Sequence, residues 1–267
     1  MSLAWAFFKR DAIIALSYRA TFIAQLVGNI FLLGVFYFIA KLIDSSSNPE
    51  LAAYGGGYLG FMLVGLALTD CVGVSMTTFA GQIRDGQVSG TLETTLMTPV
   101  SLLQVLIYSS LWSYFLSAFR FVLYVGVGSL IYGVSLRQAN GASVAAIFLL
   151  TVFCFAGIGI LWATVVLLLK RGEALLTMIG FIVILLSGVV FPNTVLPQWL
   201  RWVSELIPLT HALHGMRLAM LSGSGLEALG PTFLKLAAFA VVMLAIGLFA
   251  FSRAVGYVKR MGSLAEF

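Results

Sequence analysis

Long apolar runs alternate with short polar breaks along almost the whole chain. A helix needs about 20 mainly apolar residues to cross a hydrocarbon core of about 30 Å. Six runs meet that length, at approximately 22–43, 57–80, 102–133, 142–169, 174–192 and 232–252, each bounded by Gly, Pro or charge. Lipid satisfies no backbone N–H or C=O, so such runs must be helices or closed strands. A barrel needs short segments of alternating polarity, and these runs are unbroken, so the pattern predicts helices. The third is long enough to tilt or to project beyond the bilayer. The expected fold is all-α and integral to a membrane, with a six-span domain over 22–267 after an N-terminal segment at 1–21.

That first segment mixes Trp5, Phe7, Phe8, Ile13, Ile14 and Leu16 with Lys9, Arg10, Asp11 and Arg19. Such a sequence suits an amphipathic helix lying in the interface, apolar side in lipid and basic side toward anionic headgroups. The plainer alternative is a positively charged flank on the first span. It does not read as a signal peptide, because Lys9, Arg10 and Asp11 interrupt it early and no small-residue cleavage site follows. We expect it to be retained in the mature protein.

Composition supports the membrane reading. Of 267 residues, 61% are hydrophobic and 9% charged, and the mean hydropathy is +1.05. A soluble domain carries roughly 25% charged residues, so a single soluble domain is excluded. The net charge of +5 comes from fifteen scattered Lys and Arg with no basic and aromatic stripe, which argues for topology-setting flanks and against nucleic acid. With the N-terminus inside, the cytoplasmic parts hold nine basic residues: Lys9, Arg10, Arg19, Arg84, Lys170, Arg171, Arg253, Lys259 and Arg260. The other side holds five, Lys41, Arg137, Arg201, Arg217 and Lys235, so both termini are expected in the cytoplasm. Cys71 and Cys154 sit inside apolar runs without metal-ligand spacing and read as small packing residues.

Two polar or mixed segments stand out. In residues 81–101, Gly86 and Gly90 are expected to break the preceding helix. Gly90 or Thr91 can then cap a short helix with Glu93 in its first turn, where a carboxylate favours the dipole. Leu92, Thr95 and Leu96 fall on neighbouring faces, and Pro99 ends the helix before the third span. On physics alone this short cytoplasmic helix, about 84–99, is a docking knob or a connector. The second segment, 192–231, holds four of the six prolines yet is too apolar for a free loop. It predicts two amphipathic pieces, about 197–206 and 209–221, separated by Pro208. Trp199 and Trp202 suit a membrane–water interface, where the ring is buried and the N–H stays wet.

No phosphate-binding loop ending Gly-Lys-Ser/Thr exists, and Leu221-Ser-Gly-Ser-Gly225 reads as a turn. No catalytic or metal set is expected: His211 and His214 are three apart but lack a third ligand at suitable spacing. Asp70 and Arg120 are ionisable groups in mid-span, where charge is costly and faces protein or a water-filled cavity. They either pair with each other or line a path.

The run Gly90-Thr-Leu-Glu-Thr-Thr-Leu-Met-Thr-Pro-Val-Ser101, preceded by Arg84-Asp-Gly, resembles the segment after the second span of ABC-2 type transporter permeases. The Pro-Leu-Thr-His run at 208–211 and Arg217 resemble that family's outer hairpin, although the family more often has Asn where this chain has Ile207. The resemblance implies an ATPase-coupling helix built on Arg84, Gly90, Thr91, Leu92, Glu93, Leu96 and Pro99. It also implies an outer re-entrant gate hairpin at about 193–221, carrying Trp199, Trp202, Pro208, His211 and Arg217. It further implies two copies of a separate ABC ATPase that carries ATP and Mg, a second copy of this chain, contact with membrane lipid, and a place in a bacterial inner membrane. The chain itself would bind no cofactor and catalyse nothing. A membrane-embedded lipid-modifying enzyme would need clustered acid, base or metal ligands at one depth, which these residues do not form. A secondary transporter or channel would favour paired intramembrane charges or broken helices in corresponding halves, and no internal repeat is present. The resemblance permits drugs, glycolipids or polysaccharides as exported substrate.

Overall fold

The chain answers its apolar pattern with helices, which satisfy every interior backbone group within one segment. The structure, a computed structural model, describes residues 3–17, 19–42, 57–92, 100–169 and 173–261. Among these residues the helices are α1 (Leu3–Ser17), α2 (Arg19–Leu42), α3 (Gly57–Val88), α4 (Leu102–Leu130), α5 (Gly141–Leu169), α6 (Glu173–Leu186), α7 (Gln198–Glu205), α8 (Pro208–Leu221) and α9 (Gly230–Met261), and no strand occurs.

Four of them, α3, α4, α5 and α9, are long and apolar enough to cross a membrane. The first and fifth expected spans fall on helices with shorter apolar stretches, Ile30–Leu42 in α2 and Leu175–Leu186 in α6. The fifth run therefore ends before residue 192. Gly188 takes φ +77°, a left-handed conformation that side chains resist, and the Asn193 amide fills the space a Cβ there would need. A short 3-10 turn at Asn193–Val195 follows.

The second run is longer than expected. α3 continues through Gly81 and Gly86 to Val88, so Gly86 does not break it. A helical glycine costs only about 1 kcal/mol relative to alanine, and burial of Ile83 and Gln87 around it offsets that cost. Four hydroxyls of α3, those of Thr69, Ser75, Thr77 and Thr78, are satisfied within the helix, each donating to the carbonyl four residues earlier. α4 opens on a capping box: the Ser101 hydroxyl accepts from Gln104 N, and the Gln104 amide oxygen accepts from Ser101 N at 3.1 Å.

α5 is the centre of the bundle, packed against α9, α3 and α8. Its contact with α9 depends on missing side chains. A Cβ on Gly157 would stand 2.5 Å from the backbone of Met243 and Leu244, and one on Gly247 2.5 Å from the Gly157 carbonyl. Small residues let helix backbones approach in lipid, where packing rather than water drives association.

Two apolar clusters mark the two ends. At one, Leu63, Ile147, Leu213, Met216 and Leu221 pack together. At the other are Ile83, Leu92, Leu102, Leu167 and Phe251. Thus the start of α3 lies with the start of α5 and with α8, while the end of α3 lies with the start of α4 and the end of α9. We call these the hairpin end and the α1 end, because α1 lies along the first half of α4 through Phe7–Tyr108, Phe8–Trp112 and Phe8–Phe115 ring contacts. Large apolar side chains such as Phe153, Phe181 and Phe249 remain on the outside, as a lipid-facing surface requires.

Candidate functional site

At the α1 end, α3 gives way to a turn. Gly90 adopts φ +68°, and the Ser89 hydroxyl donates to the Asp85 carbonyl at 2.6 Å and meets the Thr91 hydroxyl at 2.8 Å. Leu92 folds back against Gly86 and is buried. The expected helix start at Gly90-Thr91 therefore coincides with a left-handed turn, with helix resuming at Thr91 and Leu92. Arg84 lies on the last turns of α3, half-buried. Glu93, Leu96 and Pro99 lie outside the described residues, as does most of the expected coupling helix. A cavity of about 410 Å³ opens beside this turn, lined by Arg10, Asp11, Gln82, Asp85, Thr91 and Ser109 among others. Arg10 bridges it, donating to Asp11 at 2.8 Å and to the Ser109 hydroxyl at 3.2 Å.

Midway along the bundle, Arg120 of α4 and Asp70 of α3 form an ion pair. A smaller cavity of about 200 Å³, lined by Leu32, Leu33, Leu66, Thr69, Asp70 and Tyr124, separates this pair from α2.

At the hairpin end, the expected two-piece segment is α7 and α8. Pro208 occupies the first turn of α8, where its missing N–H costs nothing and its fixed φ suits a helix. Trp199 and Trp202, 64% and 65% exposed, share one face of α7 with Val203. The opposite face carries Arg201, Ser204 and Glu205. His211 binds the Glu205 carbonyl through Nε2 at 2.9 Å and stacks on Phe239 of α9. Partial desolvation, then the charges of Arg217, His211 and Lys235, lowers the pKa of His214 below the usual histidine value. Arg217 is buried at 3% exposure. One of its terminal nitrogens donates to the carbonyls of Gly188, Val189 and Phe61 at 2.9, 3.2 and 3.3 Å. Its guanidinium also lies 3.3 Å from the Phe61 ring centroid. This arginine anchors α8 to α3 and to the turn after α6.

Sequence reasoning missed two contributors here. Ser204 is fully buried and ties the hairpin together: the Asn193 amide donates to its hydroxyl at 2.7 Å, and the Thr210 hydroxyl donates to its carbonyl at 2.7 Å. Its spacing from Trp199 and Trp202, on the polar face of an eight-residue helix, was the available signal. Lys235 is the other, a lone cation near the start of α9 that lines the same cavity as Arg201 and Arg217.

The sequence model of the ABC-2 type transporter family matches residues 2–221, from α1 through the end of α8. No curated protein matches the chain.

Proposed function

Since the chain belongs to the ABC-2 type transporter family, and is thereby a membrane permease of an ABC transporter, we propose that it exports its substrate from the cytoplasm in an ATP-driven complex. Permeases of this family work with an ABC ATPase. In our reading two copies of that ATPase carry ATP and Mg and dock at the α1 end, on the turn at Gly90 and the segment that follows. The α1 end is then cytoplasmic, in keeping with the nine basic residues the sequence assigns there, and the hairpin end faces outward. The membrane is a bacterial inner membrane, α1 lies at its cytoplasmic surface, and α2 and α6 complete six spans.

One observation carries this reading: the turn after α3 and the α7–α8 pair lie at opposite ends of one bundle, both in contact with α3. A docking element and a gate have to be separated across the membrane and mechanically joined. α2 adds support for a second copy of the chain, since Phe31, Val35, Phe38 and Leu42 form an exposed apolar stripe at helical spacing. The substrate class this permits is amphipathic: a drug-like molecule, a glycolipid or a lipid-linked polysaccharide.

The test is the mass and the coupling of the native complex. Purification from membranes should give two copies of this chain with two ATPase chains. Glu93→Lys should leave membrane insertion intact and uncouple ATP hydrolysis from transport. A stable monomer with full transport activity overturns the dimer, and unchanged coupling in Glu93→Lys overturns the docking role.

A further inference from the structure

We propose that the cavity between the turn after α6 and helices α3, α7, α8 and α9 at the hairpin end is a binding site for a phosphate group. It measures about 450 Å³, and Arg201, Arg217, Lys235, His211 and His214 line it with Glu205 as the lone carboxylate. Three permanent cations against one anion leave the walls at a charge of +2 before either imidazole is counted. Arg217 cannot turn its charge away, since it is held at the rear by three carbonyls and the Phe61 ring.

Arg201 is only partly engaged. Arg201 gives one terminal nitrogen to the Thr194 carbonyl at 2.7 Å. Its Nε is buried from solvent and meets no acceptor among the described residues. No carboxylate pairs with Arg201 or Lys235 among the described residues. An arginine fork beside a lysine point charge suits tetrahedral phosphate oxygens better than a planar neutral group.

Size and depth narrow the ligand. The cavity is larger than a phosphate alone requires and falls within the usual range for organic ligands, about 300–1,000 Å³. Phe61, Pro192 and Leu218 supply an apolar part of the wall. Trp199 and Trp202, exposed on α7, suit a place at headgroup level. The phosphate can therefore arrive on a lipid headgroup or from solution.

The experiment uses the full chain purified in detergent and follows its tryptophan fluorescence during titration. The probes are dihexanoyl phosphatidylglycerol, inorganic phosphate and, as an uncharged control, dihexanoylglycerol. Saturable binding of the phospholipid alone assigns the site to a headgroup, whereas binding of inorganic phosphate as well assigns it to phosphate from either source. In both cases Lys235→Gln and Arg201→Gln should each weaken binding roughly tenfold, the loss of one charged hydrogen bond. Arg253→Gln at the α1 end should leave binding unchanged. Lys235 is exposed and makes no hydrogen bond or ion pair among the described residues, so its variant keeps the test valid if Arg201→Gln loosens the hairpin. Absence of binding by both phosphate probes, equal binding of dihexanoylglycerol, or unchanged affinity in Lys235→Gln overturns the proposal. The readout needs neither ATPase nor transport, so its failure leaves the exporter reading standing, and failure of that reading leaves this site standing.

Discussion

Nε of Arg120 lies 3.1 Å from Oδ2 of Asp70, joining α4 to α3 through side chains only 9% and 20% exposed. Removing one partner from a buried pair strands the other charge, at a cost of about 3–5 kcal/mol, while replacing both by apolar groups is often near neutral. Asp70→Leu and Arg120→Met should each lower the melting temperature of the purified protein markedly. The double variant should melt closer to the parent than either single one. Additive single effects would mean that the two side chains do not act as a pair.

Arg217 should resist even a conservative change. Lysine keeps the charge but loses the planar fork and the flat stacking surface over Phe61. Arg217→Lys should release the turn after α6 and raise hydrogen exchange across residues 188–221, with little change in α4. Protection equal to the parent would rule out the anchoring role.

The α5–α9 crossing should be intolerant of volume. Gly247→Leu pushes a side chain into the Gly157 carbonyl, where no flexible neighbour can yield. Overpacking of this kind costs about 1–3 kcal/mol or more, so the variant should lose its monodisperse peak in detergent. Gly126→Ala, which meets nothing within 4 Å, should behave as the parent. Similar profiles for both variants would show that the crossing is looser than described.

Topology is open to labelling with an impermeant thiol reagent. Gln198 is exposed on α7 and Val88, 75% exposed, ends α3; Gln87 beside it is buried at 4% and would be a poor probe. Both native cysteines are buried. Gln198→Cys should react in intact cells and Val88→Cys only after the membrane is opened. The reverse pattern inverts the orientation and removes the gate assignment with it.

The helices were legible because lipid leaves the backbone one solution, and long apolar runs announce it. The two-piece hairpin was legible from Pro208 and from tryptophans three residues apart. Helix ends were less so. Gly86 reads as a breaker on propensity alone, whereas Ile83, one turn earlier, is buried in a cluster with α4 and α5 side chains that no local pattern announces. The early stop of α6 rests on Gly188, whose conformation no apolar pattern encodes. The cavity of cations was hidden for a different reason. Arg201, Arg217 and Lys235 belong to three separate helices, and only the fold makes them neighbours.

Because Gly86 does not interrupt it, α3 is one rod of 32 residues, about 48 Å from tip to tip. The Gly90 turn sits just beyond one tip and Phe61, under Arg217, near the other. A rod pivoting at its middle moves its tips in opposite directions, and a tilt of 5° would shift each by about 2 Å. A displacement of that size at Phe61 exceeds the slack in hydrogen bonds of about 3 Å. In such a tilt the clamp on the hairpin would ride the far arm of a lever whose near arm reaches the other end of the bundle.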